Sequence, residues 1–360
     1  MKIKSSFKEY EVIMEKDLQF IDSLIMIDNS QFVIDRNVYN LYKEKFEAIP
    51  VESLILIEAN ENNKIIDTAL GICEKMTEIP AKRNAVLISI GGGIVQDITG
   101  FVANILYRGV KWIFVPTTLL AACDSCIGGK TSLNYKSFKN LLGTFYPPDE
   151  LHICSAFFKT LSDKDFASGL GEVVKFNIMS GESGLCGIER NIDSLLERQE
   201  AVVNAFVESS LLFKKDFIEV DEFDRGERIK LNFAHTFGHA IEVITNYVIP
   251  HGTAVAIGMI MANSISMKRG ILSTEFVERS CNLLLKVIDI DVSLLGVPVD
   301  EYIMVMRKDK KQTSDALTAV LMAEQADGYE LFIVRDIEKD EVDYAVKSFV
   351  ECYRGKWRKL

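Results

Sequence analysis

Histidine is scarce in this sequence, with only four among 360 residues. Long apolar runs are also missing, because no stretch reaches the roughly 20 residues that a membrane-spanning helix needs. The N-terminal segment MKIKSSFKEYEVIMEKD lacks the apolar core of a signal peptide. We therefore expect a cytoplasmic protein without a membrane partner.

Positive charge is in deficit as well, since the net charge is −11 and the isoelectric point is near 5.1. Such a surface disfavours nucleic acid as a partner, so any anionic ligand must be bound by local groups of cations. The seven cysteines form no framework, and an odd, scattered set predicts reduced thiols. Cys123 and Cys126 form a CxxC pattern, but no second CxxC accompanies it, so we interpret them as buried thiols.

The chain is too long for one small core, which predicts two domains. Residues 1–155 alternate short apolar runs with helical patterns, which indicates an α/β domain with a parallel sheet. The predicted strands are 31–35, 53–59, 85–90 and 111–116. Long amphipathic stretches then predict a mainly α-helical domain over 156–360, with one late strand at 329–334.

A strand followed by three glycines and a helix, AVLISIGGGIVQDITG, is typical of a pyrophosphate site. Glycine allows the backbone to approach a ligand closely, and a helix N-terminus offers free N–H groups to phosphate. Gly91, Gly92 and Gly93 are therefore candidates for binding the pyrophosphate of a dinucleotide, although a tight strand-to-helix turn would explain them as well. Asp35 and Asn37 follow one strand and Glu61 and Lys64 follow the next, where ribose and adenine usually bind in open α/β sheets.

Three of the four histidines fall in one window, NFAHTFGHAIEVITNYVIPHGTAVAIGM. His235 and His239 are four residues apart on a predicted helix and share a face with Arg228 and Asn232, while His251 precedes the next helix. Two or three histidines with one carboxylate form the usual catalytic zinc set. Glu172 is the candidate carboxylate, on an apolar helix that also carries Lys175 three residues later. The alternative is a hydrogen-bonded surface pair of histidines.

Cations that could bind a phosphate and a carboxylate are grouped in two segments, DSCIGGKTSLNYKSFKNLLG and RKDKK. Each lysine alone could be a solvated surface residue, but Lys130 follows two glycines in a turn that suits an anion. The candidates in these segments, which include polar neighbours of the lysines, are Asp124, Lys130, Asn134, Lys139, Asn140, Lys308, Lys310 and Lys311. A further candidate, Lys214, lies in LLFKKDF.

Taken together, these motifs resemble the 3-dehydroquinate synthases, a family of sugar-phosphate cyclases. The resemblance extends from VIDRN to DKK and is most specific in RGVKWIFVPTTLLAACDSCIGGKTSLN, FKNLLGTFYPP, GLGEVVK, LNFAHTFGHAIE and PHGTAVAIGM. It implies an N-terminal nucleotide-binding α/β domain, a helical metal- and substrate-binding domain, and an active site in the cleft between them. It also implies NAD and a divalent metal, zinc or cobalt, as cofactors, and a homodimer.

The same resemblance implies a role for each matching residue. The implied metal ligands are Glu172, His235 and His251. The implied NAD-site residues are Asp35, Asn37, Glu61, Lys64, Gly92, Gly93, Asp97, Thr117, Thr118 and Lys139. The implied substrate and catalytic residues are Asp124, Lys130, Asn140, Lys175, Lys214, Arg228, Asn232, His239 and Lys311, with Arg108 reaching the phosphate bound by the neighbouring subunit.

The implied reaction converts 3-deoxy-D-arabino-heptulosonate 7-phosphate to 3-dehydroquinate and phosphate. It proceeds by transient oxidation, phosphate elimination, re-reduction and intramolecular aldol closure. The chain departs from the family pattern at Gln96 and Ala234, where glycine is usual, and has LSDKDFASG in place of a PxRE motif. Three alternatives stay open: a related cyclase acting on an amino analogue or sedoheptulose 7-phosphate, a dehydrogenase of the glycerol dehydrogenase type, and a non-catalytic nucleotide-binding protein.

Overall fold

A computed structural model describes residues 1–78, 82–136, 138–308, 317–326 and 328–355. The chain divides into two compact units, Met1–Ser162 and Asp163–Leu360. The sequence-based boundary at residue 155 falls at the start of a short 3-10 helix, Ser155–Thr160, which belongs to the first unit. Among the helices that the structure describes, none is both long and apolar enough to cross a bilayer.

The first unit is built on a seven-stranded sheet. The strands of this unit, seven of which belong to that sheet, are β1 (Lys2–Ile3), β2 (Tyr10–Met14), β3 (Ser30–Asp35), β4 (Leu54–Ile57), β5 (Val86–Gly91), β6 (Lys111–Pro116), β7 (Lys130–Tyr135), β8 (Phe138–Phe145) and β9 (Glu150–Ile153). The sheet order is β1-β2-β9-β6-β5-β3-β4, in which all neighbours are parallel except β1 and β2. Strands β7 and β8 form a separate antiparallel hairpin. The four strands predicted from the sequence are confirmed as β3 to β6, which lie side by side in the order β6-β5-β3-β4.

Helices of the first unit connect these strands, and several of them begin next to candidate residues. They are α1 (Phe20–Ile25), α2 (Arg36–Leu41), α3 (Lys43–Phe46), α4 (Ile66–Glu78) and α5 (Gly93–Ile105), with one π-helical turn at Ala121–Ser125. Short 3-10 helices lie at Val51–Ser53, Glu61–Asn63, Lys82–Asn84 and Leu106–Arg108. Helix α5 follows the three glycines directly, as the sequence predicts.

The second unit is mainly helical, and the predicted fold class is therefore confirmed. Its elements are α6 (Asp163–Met179), α7 (Gly181–Leu196), α8 (Glu200–Val220), α9 (His235–Ile244), α10 (His251–Lys268), α11 (Thr274–Leu284), α12 (Val299–Arg307), β10 (Leu317–Gln325), β11 (Gly328–Ile337) and α13 (Lys339–Tyr353), with 3-10 helices at Glu227–Asn232 and Val292–Leu295. Helix α10 is buried on all sides from Gly252 to Ser266, which makes it the central helix of this unit. It packs against α6, α9, α11 and α13.

The cysteines correct one expectation from the sequence. Cys281 on α11 and Cys352 on α13 form a disulfide across 71 residues of sequence, so the prediction that all thiols are reduced is wrong for this pair. The other five cysteines are thiols, and Cys123 and Cys126 are buried as expected, with their thiols directed to backbone carbonyls.

Candidate active site

A close crossing of α6 and α10 brings the candidate carboxylate beside the candidate imidazoles. A Cβ atom on Gly252 would lie 1.7 Å from the carbonyl oxygen of Ser168, and one on Gly171 would lie 2.1 Å from that of Gly252. Only glycine permits such backbone contact. Because Glu172 follows Gly171 and His251 precedes Gly252, the crossing sets the distance between these two side chains.

A second close contact, between α9 and α10, brings the remaining histidines to the same place. A Cβ atom on Gly258 would lie 2.4 Å from the carbonyl oxygen of Ala234. Ala234 has a φ of 71° in the left-handed region, and α9 begins immediately after it with His235. The chain thus reverses direction at Ala234 and directs His235 towards α6 and α10.

Glu172, His235 and His251 offer one ligand atom each, and these three atoms lie within 4.8 Å of one another. The Oε1 atom of Glu172 is 3.5 Å from Nε2 of His235 and 3.3 Å from Nε2 of His251. Glu172 is fully buried and His235 nearly so, which removes the alternative of a surface histidine pair. One carboxylate and two imidazoles form a donor set that suits zinc or cobalt and leaves a coordination position for substrate.

Both imidazoles are oriented by their second ring nitrogen. Nδ1 of His235 lies 3.1 Å from the carbonyl oxygen of Phe233, and Nδ1 of His251 lies 3.1 Å from Oε2 of Glu242. Each Nδ1 therefore carries the proton, and the lone pair of a neutral ring resides on Nε2, facing Glu172. A carbonyl or carboxylate acceptor of this kind is the usual partner of a metal-binding histidine.

The electrostatics at His251 also favour positive charge. Burial lowers the pKa of His251, but the hydrogen bonds to Glu172 and Glu242 outweigh it and raise that pKa to about 10. Two carboxylates that converge on one imidazole stabilise either a proton or a metal cation there.

Glu242 is a functional candidate that the sequence analysis missed. It follows His239 by three residues and His235 by seven, so the helical spacing could have placed it on the same face of α9. The ring of His239 lies 5.4 Å from that of His235 and 5.9 Å from that of His251. Ligand atoms of His239, Glu242 and His251 form a second set within 4.8 Å, which shares His251 with the first.

Buried cations accompany the metal-ligand candidates in the second unit. Nζ of Lys175 lies 2.5 Å from Oε2 of Glu172, and the exposed fraction of its side chain is 1%. Lys214 on α8 and Arg228 are almost as deeply buried. Buried lysine and arginine are rare unless they meet an anionic partner.

The backbone around Arg228 corrects the single helix predicted over residues 228–244. Arg228 and Asn232 lie in a separate 3-10 helix that ends before the left-handed Ala234. The backbone N–H of Arg228 donates to Asp221, and its guanidinium donates to the carbonyl oxygen of Glu222. The position of Arg228 therefore depends on this loop and not on a helical face shared with His235 and His239.

In the first unit, candidate residues from three segments form one polar network. Lys64 forms an ion pair with Asp97 of α5 and donates to Oδ1 of Asn140 at 2.6 Å. The hydroxyl oxygen of Ser132, which the sequence analysis did not select, lies 3.0 Å from Oδ2 of Asp97 and 2.9 Å from Oδ1 of Asn140 and can donate its one proton to either. Burial raises the pKa of the Asp97 carboxyl, while Lys64 acts in the opposite direction.

Glu61, Asn134 and Lys139 extend this network. Nδ2 of Asn134 donates to Oε1 of Glu61 at 2.8 Å, and its Oδ1 accepts from the backbone N–H of Asn140 at 2.9 Å. Nζ of Lys139 lies 3.8 Å from the same Glu61 oxygen. The hairpin β7–β8 and the segment after β4 thus bring together residues that are more than 70 positions apart in sequence.

The glycine turn lies beside both candidate threonines. The backbone N–H of Thr117 donates to Gly91, and a Cβ atom on Gly92 would lie 3.0 Å from Thr118. A Cβ atom on Gly93 would meet only the hydroxyl of Ser125, at the ordinary distance of 3.6 Å. Internal packing therefore explains glycine at position 92 but does not explain it at position 93.

Asp35 and Asn37 lie where the sequence predicts, at the carboxyl end of β3. Oδ1 of Asp35 accepts from the backbone N–H of Asn37 at 2.9 Å and caps α2. Burial is the main cause that raises the pKa of Asp35, with a contribution from Glu58. At Arg108, the candidate for the neighbouring subunit, the backbone geometry is unusual. Arg108 is exposed and has a φ of 67° in a turn where Tyr107 and Gly109 also have positive φ.

The remaining candidates differ in exposure. Asp124 is half-buried in the π-helical turn, and Lys130 is exposed at the start of β7 after two glycines with positive φ. Lys310 and Lys311 lie outside the described residues. His152, the one histidine outside the window, is in β9 and bonds to Glu15 at 2.8 Å and Glu150 at 3.2 Å.

Comparison with known families adds independent information. A model described as 3-dehydroquinate synthase N-terminal matches residues 54–168, and one described as 3-dehydroquinate synthase C-terminal matches residues 169–312. A 3-dehydroquinate synthase from Clostridium tetani is 36% identical over 355 residues, which cover 94% of this chain and 90% of that protein.

Solved structures show the same fold in proteins of lower identity. The 2-epi-5-epi-valiolone synthase of Streptomyces hygroscopicus, with NAD+ and Zn2+ bound, has a TM-score of 0.82 at 23% identity and covers 97% of this chain and 99% of its own. Glycerol dehydrogenase from Schizosaccharomyces pombe has a TM-score of 0.67 at 15% identity and covers 97% of this chain and 90% of its own. At these identities the likeness establishes the fold.

Proposed function

The chain belongs to the 3-dehydroquinate synthase family, and we propose that it converts 3-deoxy-D-arabino-heptulosonate 7-phosphate to 3-dehydroquinate and phosphate. NAD and a divalent metal, zinc or cobalt, are the proposed cofactors. The observation that supports this most directly is the convergence of the buried Glu172 with Nε2 of His235 and of His251, at 3.5 and 3.3 Å. We propose these three residues as the metal ligands.

When bound, the metal would polarise a substrate carbonyl, and NAD would accept a hydride from the substrate and later return it. The residues of the chain hold the reactants and neutralise their charge. Lys175 stabilises the ionised form of Glu172, to which it is paired at 2.5 Å, and can donate a further hydrogen bond to a substrate hydroxyl. Phe233 and Glu242 keep the two imidazoles in the tautomer that binds a metal.

Buried cations favour the cyclase over a dehydrogenase of the glycerol dehydrogenase type. Lys175, Lys214 and Arg228 are all almost fully buried in the second unit. Lysine and arginine form charge-assisted hydrogen bonds with carboxylate and phosphate groups, which the sugar-phosphate substrate carries and a neutral polyol lacks. We propose that these three bind substrate together with Asp124, Lys130, Asn140, Asn232 and Lys311.

His239 is proposed to serve near the leaving phosphate. Its half-buried ring stands beside those of His235 and His251, and an imidazole can move a proton at neutral pH. In the first unit, the proposed NAD site comprises Asp35, Asn37, Glu61, Lys64, Gly92, Gly93, Asp97, Thr117, Thr118 and Lys139. The homodimer, with Arg108 serving the neighbouring subunit, the cytoplasmic location and the domain roles belong to the same proposal.

One assay tests the reaction directly. The purified protein is incubated with NAD, Zn2+ and 3-deoxy-D-arabino-heptulosonate 7-phosphate, and inorganic phosphate, NADH and the carbocyclic product are measured. Phosphate release without accumulation of NADH is expected, because the hydride is returned to the product. Turnover of sedoheptulose 7-phosphate or an amino analogue instead would identify a related cyclase, and NADH formation from glycerol would identify a dehydrogenase.

A pair of histidine variants tests the metal site. His251→Ala should lose bound zinc and activity together, whereas His152→Ala, which changes a histidine of the other unit, should retain both. Activity in the absence of bound metal, or an unchanged His251→Ala enzyme, would contradict the assignment.

A further inference from the structure

Gln96 is a buried polar residue that the proposed function does not use. It lies in the first turns of α5, between the glycines and Asp97, and its side chain is nearly inaccessible to solvent. Nε2 of Gln96 donates to the carbonyl oxygen of Ser125 at 2.7 Å, and Oε1 accepts from the hydroxyl of Ser125 at 2.6 Å. One amide thus binds both the backbone carbonyl and the side-chain hydroxyl of a single residue.

The residue that Gln96 binds ends the π-helical turn Ala121–Ser125. Carbonyl groups at the end of a helical turn have no partner within the turn and need one from elsewhere. π-Helical turns are rare and often occur at functional sites. The amide of Gln96 supplies the partner for the last carbonyl of this turn, so it ties the turn to α5.

The turn and α5 each carry residues of the proposed site. Asp124 immediately precedes Ser125, Asp97 immediately follows Gln96, and the hydroxyl of Ser125 is the nearest atom to a Cβ built on Gly93. The Gln96–Ser125 pair therefore joins the start of α5, which carries Gly93 and Asp97, to the turn that carries Asp124. Displacement of Ser125 would move Asp124 relative to Gly93.

We infer that Gln96 is a positioning residue, whose amide holds the π-helical turn against α5 and so sets the place of Asp124 beside the glycine turn. This inference rests on the proposed function in so far as Asp124 contacts the sugar phosphate. Gln96 acts through Ser125, to which both the nitrogen and the oxygen of its amide are bonded. Glutamine suits the role because its amide combines a donor and an acceptor.

Two kinds of measurement on Gln96→Met test the inference. Methionine has a similar length but removes both hydrogen bonds. Amide hydrogen exchange over residues 121–126 should become about tenfold faster, whether or not the protein is active. In the zinc-loaded protein, the KM for 3-deoxy-D-arabino-heptulosonate 7-phosphate should rise about tenfold, while the Kd for NAD and the zinc content change less than twofold.

A control and a double variant separate positioning from general stability. Gln31→Met changes another buried glutamine of this unit, whose amide donates to Ser30 and Ser53, and it should leave exchange of the turn and KM unchanged. Ser125→Ala removes only the hydroxyl bond and keeps the bond to the carbonyl oxygen, so it should raise KM less than Gln96→Met. The double variant should be no worse than Gln96→Met alone, because methionine already removes both bonds.

The outcomes distinguish this inference from the proposed function. Unchanged exchange in the turn, additive effects of the two substitutions, or a parallel loss of substrate, NAD and zinc binding would overturn the role of Gln96. Faster exchange with an unchanged KM would overturn the link to Asp124. A wild-type protein that releases no phosphate would refute the proposed function, and the exchange experiment would still decide whether Gln96 holds the turn.

Discussion

The two groups of candidate residues are organised in different ways. In the second unit, Glu172 and His251 are adjacent to glycines at a helix crossing where the backbones touch. In the first unit, Lys64, Asp97 and Asn140 come from separate segments and bind one another through side-chain hydrogen bonds. The first arrangement depends on backbone packing, and the second depends on polar contacts between side chains.

This difference predicts how each group of residues responds to a substitution. Backbone contacts cannot relax without moving whole helices, so an added methyl group should disrupt the metal site. A network of side chains can rearrange, so a change there should weaken ligand binding and leave the fold intact. The predictions below test this contrast, beginning with the largest expected effect.

Gly252→Ala should abolish zinc binding and destabilise the second unit by about 3 kcal/mol or more. The new Cβ atom would lie 1.7 Å from the carbonyl oxygen of Ser168, so α6 and α10 must separate. Zinc content and denaturant unfolding provide the measurements. Gly187→Ala is the matched control, because nothing lies within 4 Å of its added Cβ. It should stabilise α7 by about 0.5–1 kcal/mol, and full zinc content in Gly252→Ala would contradict the packing argument.

Glu242→Ala should weaken zinc binding by about 10- to 100-fold without loss of fold. The carboxylate at 3.1 Å from Nδ1 of His251 fixes the ring orientation, and alanine removes it. Glu242→Gln retains an acceptor oxygen and should show a smaller effect. Titration of the metal-free protein with zinc measures this, with the exposed Glu278→Ala as control. Equal affinities for Glu242→Ala and the wild type would exclude the orienting role.

Lys64→Met should weaken NAD binding by about tenfold, or about 1.4 kcal/mol, while zinc content stays normal. Loss of the cation removes the main influence that lowers the pKa of Asp97 and leaves burial to raise that pKa further. Calorimetric titration with NAD is the measurement, and the exposed Lys45→Met serves as control. A loss of zinc in Lys64→Met would show that the two sites do not differ as described.

Asp35→Asn should have the smallest effect on the fold and raise the Tm near pH 7 by about 2 °C. The pKa of Asp35 is raised in the folded protein, so its ionised form costs stability above that pKa, and the cost vanishes below the unfolded value near 3.8. Asparagine still caps α2. Thermal unfolding at pH 7 and at pH 3 measures the difference, which should disappear at the lower pH. A gain that persists at pH 3 would have another cause.

The sequence was sufficient to predict the features that depend on local pattern. Apolar runs identified β3 to β6, and the scarcity of histidine directed attention to the segment from His235 to His251. The spacing of the three histidines left their roles open, because His239 and Glu242 also belong to a possible ligand set. Only the crossing of the helices distinguishes His235 and His251, which face Glu172, from Glu242, which orients the imidazole ring of His251.

Features that depend on distant pairing were missed. Strands β1, β2 and β9 are short, and β2 pairs with β9, so that Glu11 lies opposite Glu150 although the two residues are far apart in the sequence. The helical pattern over 228–244 continued through Phe233 and Ala234 because neither is a residue that usually breaks a helix. Ala234 has a left-handed backbone where it approaches Gly258 of α10, and the alanine side chain itself does not indicate that conformation.

The distribution of histidine has a practical consequence for spectroscopy. Selective isotope labelling of this residue type would give an NMR spectrum with four imidazoles. Three of these resonances would come from the cluster around Glu172, and the fourth, from His152 between Glu15 and Glu150, would act as an internal reference in the other unit. Addition of a paramagnetic ion such as Co2+ should then displace three signals and leave one in place, without any need for an assay of turnover.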